Sequence, residues 1–416
     1  MASPLRWVGT PWRALAALLA LAILATACGA SVPEATSGGE DESPEVVLTG
    51  NDELSPTDSS VPPKNTVPPA HTVPTTEPGA PVPTTIDRYP LQTPPIIPAY
   101  DTAWEMAYLA TDSEIEVYLD HLYDAGFSGF WFLALPFGGT NLYAREVPGI
   151  DDHIANVSDL SQVSLTPGYT RRISFILDEA ERRNLGVGLV AAWAKANSCK
   201  TDGVTADNAF AYGSEIGAAF DHTAIDYWVL GGDLPFEEQC VGEGPRRILE
   251  EVSVQLEAGI RSAGAEQPTA FHTGAGASNY DQLFDRDFVD VGAVQTGHCQ
   301  DAGTMKAKLA PVVARTEKPV ILAESRYYQL APNWPGCLHG VNNPVNADDI
   351  RADVEAALEI GISAVLFGDG QRYQWCRDRN DGDVFDLVGP GYDCPNGVTD
   401  TFNSPGEQAF LDVVRR

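Results

Sequence analysis

Basic residues are scarce in this 416-residue chain: 26 Lys and Arg stand against 58 Asp and Glu, a formal net charge of −32. A surface of that sign repels phosphate backbones and anionic headgroups, which excludes nucleic acid as a partner. Long hydrophobic runs are also missing. The apolar stretch from Ala14 to Ala27 falls well short of the ~20 residues that a membrane-spanning helix needs. No CxxC pair and no Cys/His spacing of a zinc site occurs, no Gly-rich phosphate loop follows the first strand pattern, and neither a GxSxG elbow nor an HExxH helix is present. These absences argue against dinucleotide enzymes, serine hydrolases and zinc hydrolases, and no cofactor or metal is expected. The acidic run from Arg377 to Asp383 lacks EF-hand spacing and reads as a solvated turn.

The N-terminus has the parts of an export signal. Arg6 and Arg13 precede the apolar stretch, which closes on the small residues Ala25-Thr26-Ala27 before Cys28-Gly29. That pattern predicts a lipoprotein signal peptide over residues 1–27 and a lipid on Cys28. The expectation is a membrane-anchored lipoprotein of a bacterial cell surface, touching the membrane through that lipid only. Residues 28–95 are rich in Pro, Thr, Ser and acidic residues, with the near-repeats Thr66-Val67-Pro68 and Thr72-Val73-Pro74. Such a segment cannot bury a core and reads as a disordered tether. Its Pro-Thr half favours polyproline II at ~3.1 Å per residue, a reach of many tens of ångströms.

Residues 96–416 alternate short apolar runs with amphipathic helical patterns, the signature of a parallel sheet with crossover helices. Eight strands are predicted, at 96–100, 129–135, 187–193, 227–230, 269–273, 291–295, 320–323 and 364–367. Helical patterns lie between them at 113–125, 169–184, 207–220, 245–262, 302–315 and 347–360, with a weaker one near 280–287 and a last one at 405–414. Caps are expected at Asp112 or Ser113, at Asn346 ahead of Asp349, and at Ser404 ahead of Pro405. Eight alternations predict one α/β domain, a (β/α)8 TIM barrel.

Barrel chemistry gathers at the C-terminal ends of the strands. The residues there include Asp101, Trp104, Trp193, Asn197, Asp233, His272, His298, Glu324, Tyr327 and Trp375. Carboxylates, imidazoles, amides and flat rings suit a neutral polyol: hydrogen bonds for hydroxyls, aromatic faces for C–H bonds. Six cysteines also follow strand ends, and in an oxidising compartment they pair. Neighbourhood around the barrel favours Cys199 with Cys240, Cys299 with Cys337, and Cys376 with Cys394.

Hydrolysis of a glycosidic bond requires a proton donor for the leaving oxygen and a second carboxylate. Asp233 follows the apolar Tyr227-Trp228-Val229-Leu230 and two glycines; Glu324 follows Val320-Ile321-Leu322-Ala323. Glu237 and Glu238 are rival acids deeper in their loop. The runs Asp101-Thr102-Ala103-Trp104-Glu105, Val187-Gly188-Leu189 leading to Trp193, Trp228 to Asp233, Gln295-Thr296-Gly297-His298 and Lys318-Pro319-Val320 leading to Glu324 occur in order from about Ile96 to Gly370. In this the chain resembles the apiosidase-like glycoside hydrolases, family 140 and its relatives.

The resemblance implies a (β/α)8 barrel, an acid/base at Asp233, a nucleophile at Glu324, and His298, Trp104 and Asp101 lining the sugar subsite. Ala194-Lys195-Ala196-Asn197 departs from the family's usual Gly-Asp-Lys run, and the residues after Glu324 differ as well. These departures bear on the substrate more than on the chemistry. The expectation is a retaining hydrolase of a cell-wall or plant polysaccharide; the other reading is a glycan-binding lipoprotein without turnover.

Overall fold

The computed structural model describes residues 89, 95–135, 155–156, 164–193, 203–233, 249–275, 280, 283–332, 337–340, 342–376 and 394–416. The signal segment with Cys28, nearly all of the tether, Asn197, Cys199, Cys240, Glu237, Glu238 and residues 377–383 lie outside that set.

All eight predicted strands form. They are β1 (Ala99–Thr102), β2 (Gly129–Leu133), β5 (Gly186–Val190), β6 (Ile225–Gly231), β7 (Thr269–His272), β8 (Val291–Gln295), β9 (Val320–Glu324) and β10 (Ala364–Phe367). Every pairing between them is parallel, and β10 pairs back onto β1 through Ala99–Val365 and its neighbours, so the sheet closes. A two-residue hairpin, β3 (Ala155–Asn156) with β4 (Ser164–Leu165), is inserted after β2.

The helices sit between strands as their sequence patterns require. Among the described residues they are α1 (Met106–Leu109), α2 (Asp112–Ala125), α3 (Pro167–Arg182), α4 (Ala206–Phe220), α5 (Leu249–Ser262), α6 (Ala302–Arg315), α7 (Ala347–Ile360) and α8 (Pro405–Val414). Within the weak pattern near 280–287, Tyr280 is helical and Leu283–Asp285 forms a 3-10 turn, while residues 281–282 lie outside the described set. Asn346 forms the expected capping box with Asp349, and Ser404 caps α8 with Pro405 in its first turn. The expected cap of α2 is corrected by one turn position: Thr111, not Asp112 or Ser113, accepts from the Glu114 amide and is answered by the Glu114 side chain. Thr followed three residues later by Glu satisfies two orphan amides at once, which a cap at Asp112 would leave open.

Side-chain alternation splits each strand between two environments. Tyr100, Trp131 and Tyr227 meet one another with ring centroids 6.1–6.5 Å apart. Phe130 instead meets Tyr118 of α2. Asp101 lies on that outer side, and this corrects its assignment to the sugar subsite. Its fully buried carboxylate accepts from Tyr118 Oη at 2.6 Å and from Arg372 Nη1 at 3.1 Å. Arg372 also donates to Glu407 of α8 at 2.6 Å, and Glu407 in turn meets His121 Nε2 at 3.0 Å. Together these groups tie the first strand to the last helix. Burial pushes the Asp101 carboxyl up to about 6, although Arg372 and Tyr118 oppose the shift.

Replacing Arg372 by Met would leave two buried carboxylates without their cation. Loss of one partner from a buried pair costs ~3–5 kcal/mol. We therefore expect a loss of that size in denaturant unfolding at pH 8. The loss should shrink toward pH 5, because a carboxyl whose folded pKa is raised favours the fold below that pKa and loses the contribution as pH rises through it. Equal losses at both pH values would contradict the assignment.

Candidate active site

The turn after β6 is built by its sequence. Gly231 (φ +79°), Gly232 (φ +135°) and Asp233 (φ +60°) take three consecutive left-handed or extended positive-φ conformations, which glycine adopts without a Cβ penalty. A Cβ on Gly232 would stand 2.5 Å from the Trp193 ring. The backbone thus passes against the indole, and Asp233 Oδ2 accepts from Trp193 Nε1 at 3.3 Å. A positive φ in a residue other than glycine is a stored conformational cost, and such residues concentrate at functional sites. Gly232→Ala should push Trp193 and Asp233 apart and reduce kcat/KM by roughly 10²-fold while the fold survives, since a misplacement near 1 Å can cost that much. Steady-state kinetics beside a melting curve would check it; unchanged kinetics would sever the turn from the site.

Glu324 is the last residue of β9 and is 7% exposed. His298 Nε2 lies 2.9 Å from its Oε1 and His272 Nε2 lies 3.4 Å from its Oε2. Burial disfavours its charge, but the two imidazoles outweigh burial and hold the carboxyl down at about 2. It is therefore an anion at any pH at which the protein would work.

His298 follows Gly297, whose φ of +83° turns the chain out of β8. Its Nδ1 is 2.8 Å from the Ser325 carbonyl oxygen. A carbonyl and an ionised carboxylate only accept, so both ring nitrogens must carry protons and the ring is an imidazolium. Burial opposes that charge, while Glu324 and the Ser325 carbonyl raise the pKa above its ordinary value. His272, the last residue of β7, is wholly buried, with its ring 4.7 Å from Trp193.

The remaining rings enclose this pair. Trp104 Nε1 donates to Tyr327 Oη at 2.7 Å, and the Trp104 and Trp193 rings are 5.3 Å apart. Tyr327 also meets His298 at 4.7 Å and Tyr373 at 5.5 Å. Burial, and next the Glu324 charge, push the Tyr327 phenol well above its ordinary range, so it stays protonated.

An oxygen of Asp233, an oxygen of Glu324 and a nitrogen of His272 all lie within 4.8 Å of one another. Of the sequence-derived residues, Asp233, Glu324, Trp104, Trp193, His272, His298 and Tyr327 thus converge. Trp375 does not. It is buried against Tyr118 on the α2 side, ring centroids 5.2 Å apart, and offers no face to a sugar. Tyr373 is the member that strand-end reasoning missed, because it lies in a 3-10 turn beyond the eighth strand. An aromatic two residues before Trp375 was the available signal.

Of the expected disulfides, Cys299–Cys337 and Cys376–Cys394 are formed, and the pair Cys199 with Cys240 falls outside the described residues. The first ties the residue after His298 to the segment that follows β9. That segment is also held from within: Arg326, fully charged and buried, pairs with Asp349 and Asp353 of α7 at 2.6 and 2.7 Å. Arg326 is thereby a scaffold group.

A closed parallel barrel with two carboxylates at its strand ends is the architecture of glycoside hydrolase catalytic domains. Residues 92–393 match the model of the family described as Apiosidase-like, catalytic domain. The chain belongs to that family.

Solved structures share the fold. A glycoside hydrolase family 5 protein from Bacteroides vulgatus ATCC 8482 aligns at TM-score 0.58 and 20% identity, over 75% of this chain and 66% of its own. This chain therefore spans just under two thirds of that protein. The endo-1,4-beta-mannanase of Rhizomucor miehei aligns at 0.52 and 11%, over 80% and 97%. The endo-beta-1,4-mannanase of Thermotoga petrophila aligns at 0.50 and 15%, over 78% and 77%. No curated protein matches the sequence.

Proposed function

We propose that this chain is a retaining glycoside hydrolase held outside the cell by a lipid on Cys28. The observation that carries the catalytic reading is the separation of Asp233 and Glu324, whose nearest oxygens are no more than 4.8 Å apart. Retaining enzymes hold their carboxyl groups ~5–5.5 Å apart, whereas inverting enzymes need ~6.5–9.5 Å to admit a water between them.

In the proposed reaction, protonated Asp233 gives its proton to the glycosidic oxygen while an oxygen of Glu324 forms a bond to the anomeric carbon. The aglycone leaves as an alcohol and a glycosyl ester on Glu324 remains. Asp233, now a carboxylate, takes a proton from water; the resulting hydroxide bonds to the anomeric carbon and Glu324 departs as its anion. The imidazolium of His298 favours that departure, because it stabilises the carboxylate more than the ester. Trp104, Trp193 and Tyr327 line the subsite, with Asn197 as a further proposed contact.

The substrate is proposed to be an oligosaccharide or polysaccharide of plant or cell-wall origin. The family description makes apiosides the first glycans to try, and the mannanase folds add β-mannan. The test is to incubate the exported chain and its Asp233→Ala and Glu324→Ala variants with such a panel and analyse the released sugars. Release by the wild type and not by the variants is expected. Binding without release would instead establish a glycan-binding lipoprotein. For the anchor, radiolabelled palmitate should enter the wild type and not Cys28→Ser; label in both, or in neither, overturns the lipid assignment.

A further inference from the structure

We propose that the site binds one divalent transition-metal ion, zinc by its donor chemistry, between His272, Glu324 and Asp233, and that the ion shuts the enzyme off. The inference rests on the catalytic reading above only for its consequence, inhibition; the binding itself rests on geometry.

His272 Nε2 and Glu324 Oε2 are 3.4 Å apart. Zinc bonds of ~2.0–2.2 Å to nitrogen and oxygen give tetrahedral edges of ~3.3–3.5 Å. Two corners of a zinc tetrahedron are therefore already in place. Their contact with each other is long. Apart from that 3.4 Å ion pair, no described residue makes a well-aligned hydrogen bond to either His272 nitrogen or to Glu324 Oε2, although His272 is wholly buried. A buried ring nitrogen without a well-aligned partner is costly, and a ligand at Nε2 would reduce that cost.

The other Glu324 oxygen is committed to His298 at 2.9 Å, which fixes the carboxylate with Oε2 turned toward His272. Orientation of a ligand from behind in this way is a recurring feature of zinc sites. The third donor is Asp233, within 4.8 Å of both and less buried than either. It reaches the third corner by a shift on the order of 1 Å, and water completes four-coordination.

The donor set discriminates among cations. Calcium and magnesium take six or more oxygens, and the imidazole nitrogen here selects the zinc, nickel and copper class instead. A chain of net charge −32 concentrates cations from solution. Once bound, the ion occupies an oxygen of the proposed nucleophile and one of the proposed acid/base, so substrate and metal exclude each other.

The experiment is calorimetric titration of zinc chloride into the chelator-stripped full chain, with no substrate present, for the wild type, His272→Gln, Glu324→Gln and Asp233→Asn. One ion per chain is expected, with affinity falling by more than ~100-fold in each variant, beyond the usual cost of losing an outer-shell partner. Melting curves verify that each variant is folded; Asp233→Asn, the least buried, serves if the others are not. Cobalt should give the intense visible absorption of a four-coordinate ion in the wild type and lose it in the variants. No stoichiometric binding, or equal binding in wild type and folded variants, overturns the site. Because the titration contains no glycan, its failure is distinct from failure of the hydrolase reading. With a cleaved substrate in hand, zinc should inhibit competitively and a chelator should restore the rate.

Discussion

Asp233→Ala should separate the two halves of the reaction. On a natural glycoside, whose leaving oxygen needs a proton, both bond cleavage and the later attack of water lose their acid/base, and kcat/KM should fall by ~10²–10⁴-fold. On an aryl glycoside with an acidic phenol the first half needs no proton donor. The glycosyl-enzyme should then form at close to the wild-type rate, accumulate, and appear as a burst of phenol. Azide, which attacks without base assistance, should restore turnover and yield a glycosyl azide of retained configuration. Glu324→Ala must behave differently. No covalent intermediate can form, and both kinds of substrate should lose ~10⁵–10⁶-fold, as when a nucleophile is removed elsewhere. Equal losses in the two variants on the aryl glycoside would contradict the roles assigned here.

The second large effect is that of His298→Ala. His298 supplies Glu324 with a hydrogen bond at 2.9 Å and a neighbouring positive charge, which act with His272 to hold the carboxyl pKa at about 2 against the cost of burial. Removing the ring takes away one of the two imidazoles that oppose burial and leaves His272 as the other, so the carboxyl pKa rises and the acidic limb of kcat/KM moves to higher pH. The wild type should also lose activity as pH climbs through the raised pKa of His298, because the departing carboxylate then faces a neutral ring. That alkaline component should vanish in the variant. A loss of ~10²-fold in kcat, about 2.7 kcal/mol, is expected at neutral pH. A variant with lower kcat but an unchanged acidic limb would show that His298 acts by packing alone.

These effects depend on contacts that the sequence could not supply. The barrel itself was legible, since eight apolar runs and their helices fix it through periodicity, and the strands at 291–295 and 364–367 form as read. The placement of Asp233 and Glu324 was legible too, because a residue at or just past the C-terminal end of a strand is carried to the barrel mouth whatever its side chain does. Side-chain partners were not. Asp101 ends its strand like the others, yet alternation turns it outward to Tyr118 and Arg372, groups 17 and 271 residues away in sequence. Trp375 likewise follows the last strand, but its chain has by then turned back toward α2. His272 and His298 read as sugar contacts because imidazoles suit hydroxyls. In the fold both point at Glu324, a partner set by the adjacency of β7, β8 and β9 in the closed barrel. The offset of Thr111 from the expected cap has a smaller cause: Thr, Asp and Ser in succession all cap well, and only the chain path decides among them.

The central claim is that Glu324 carries the sugar between the two halves of the reaction. It is tested most directly by trapping the intermediate on Asp233→Ala with an aryl glycoside of the sugar the wild type releases, and mapping the adduct by peptide mass spectrometry. The account predicts one glycosyl unit on the peptide containing Glu324 and, for the wild type, a first-formed product of retained anomeric configuration. An inverted first product, or an adduct on any other residue, would contradict it.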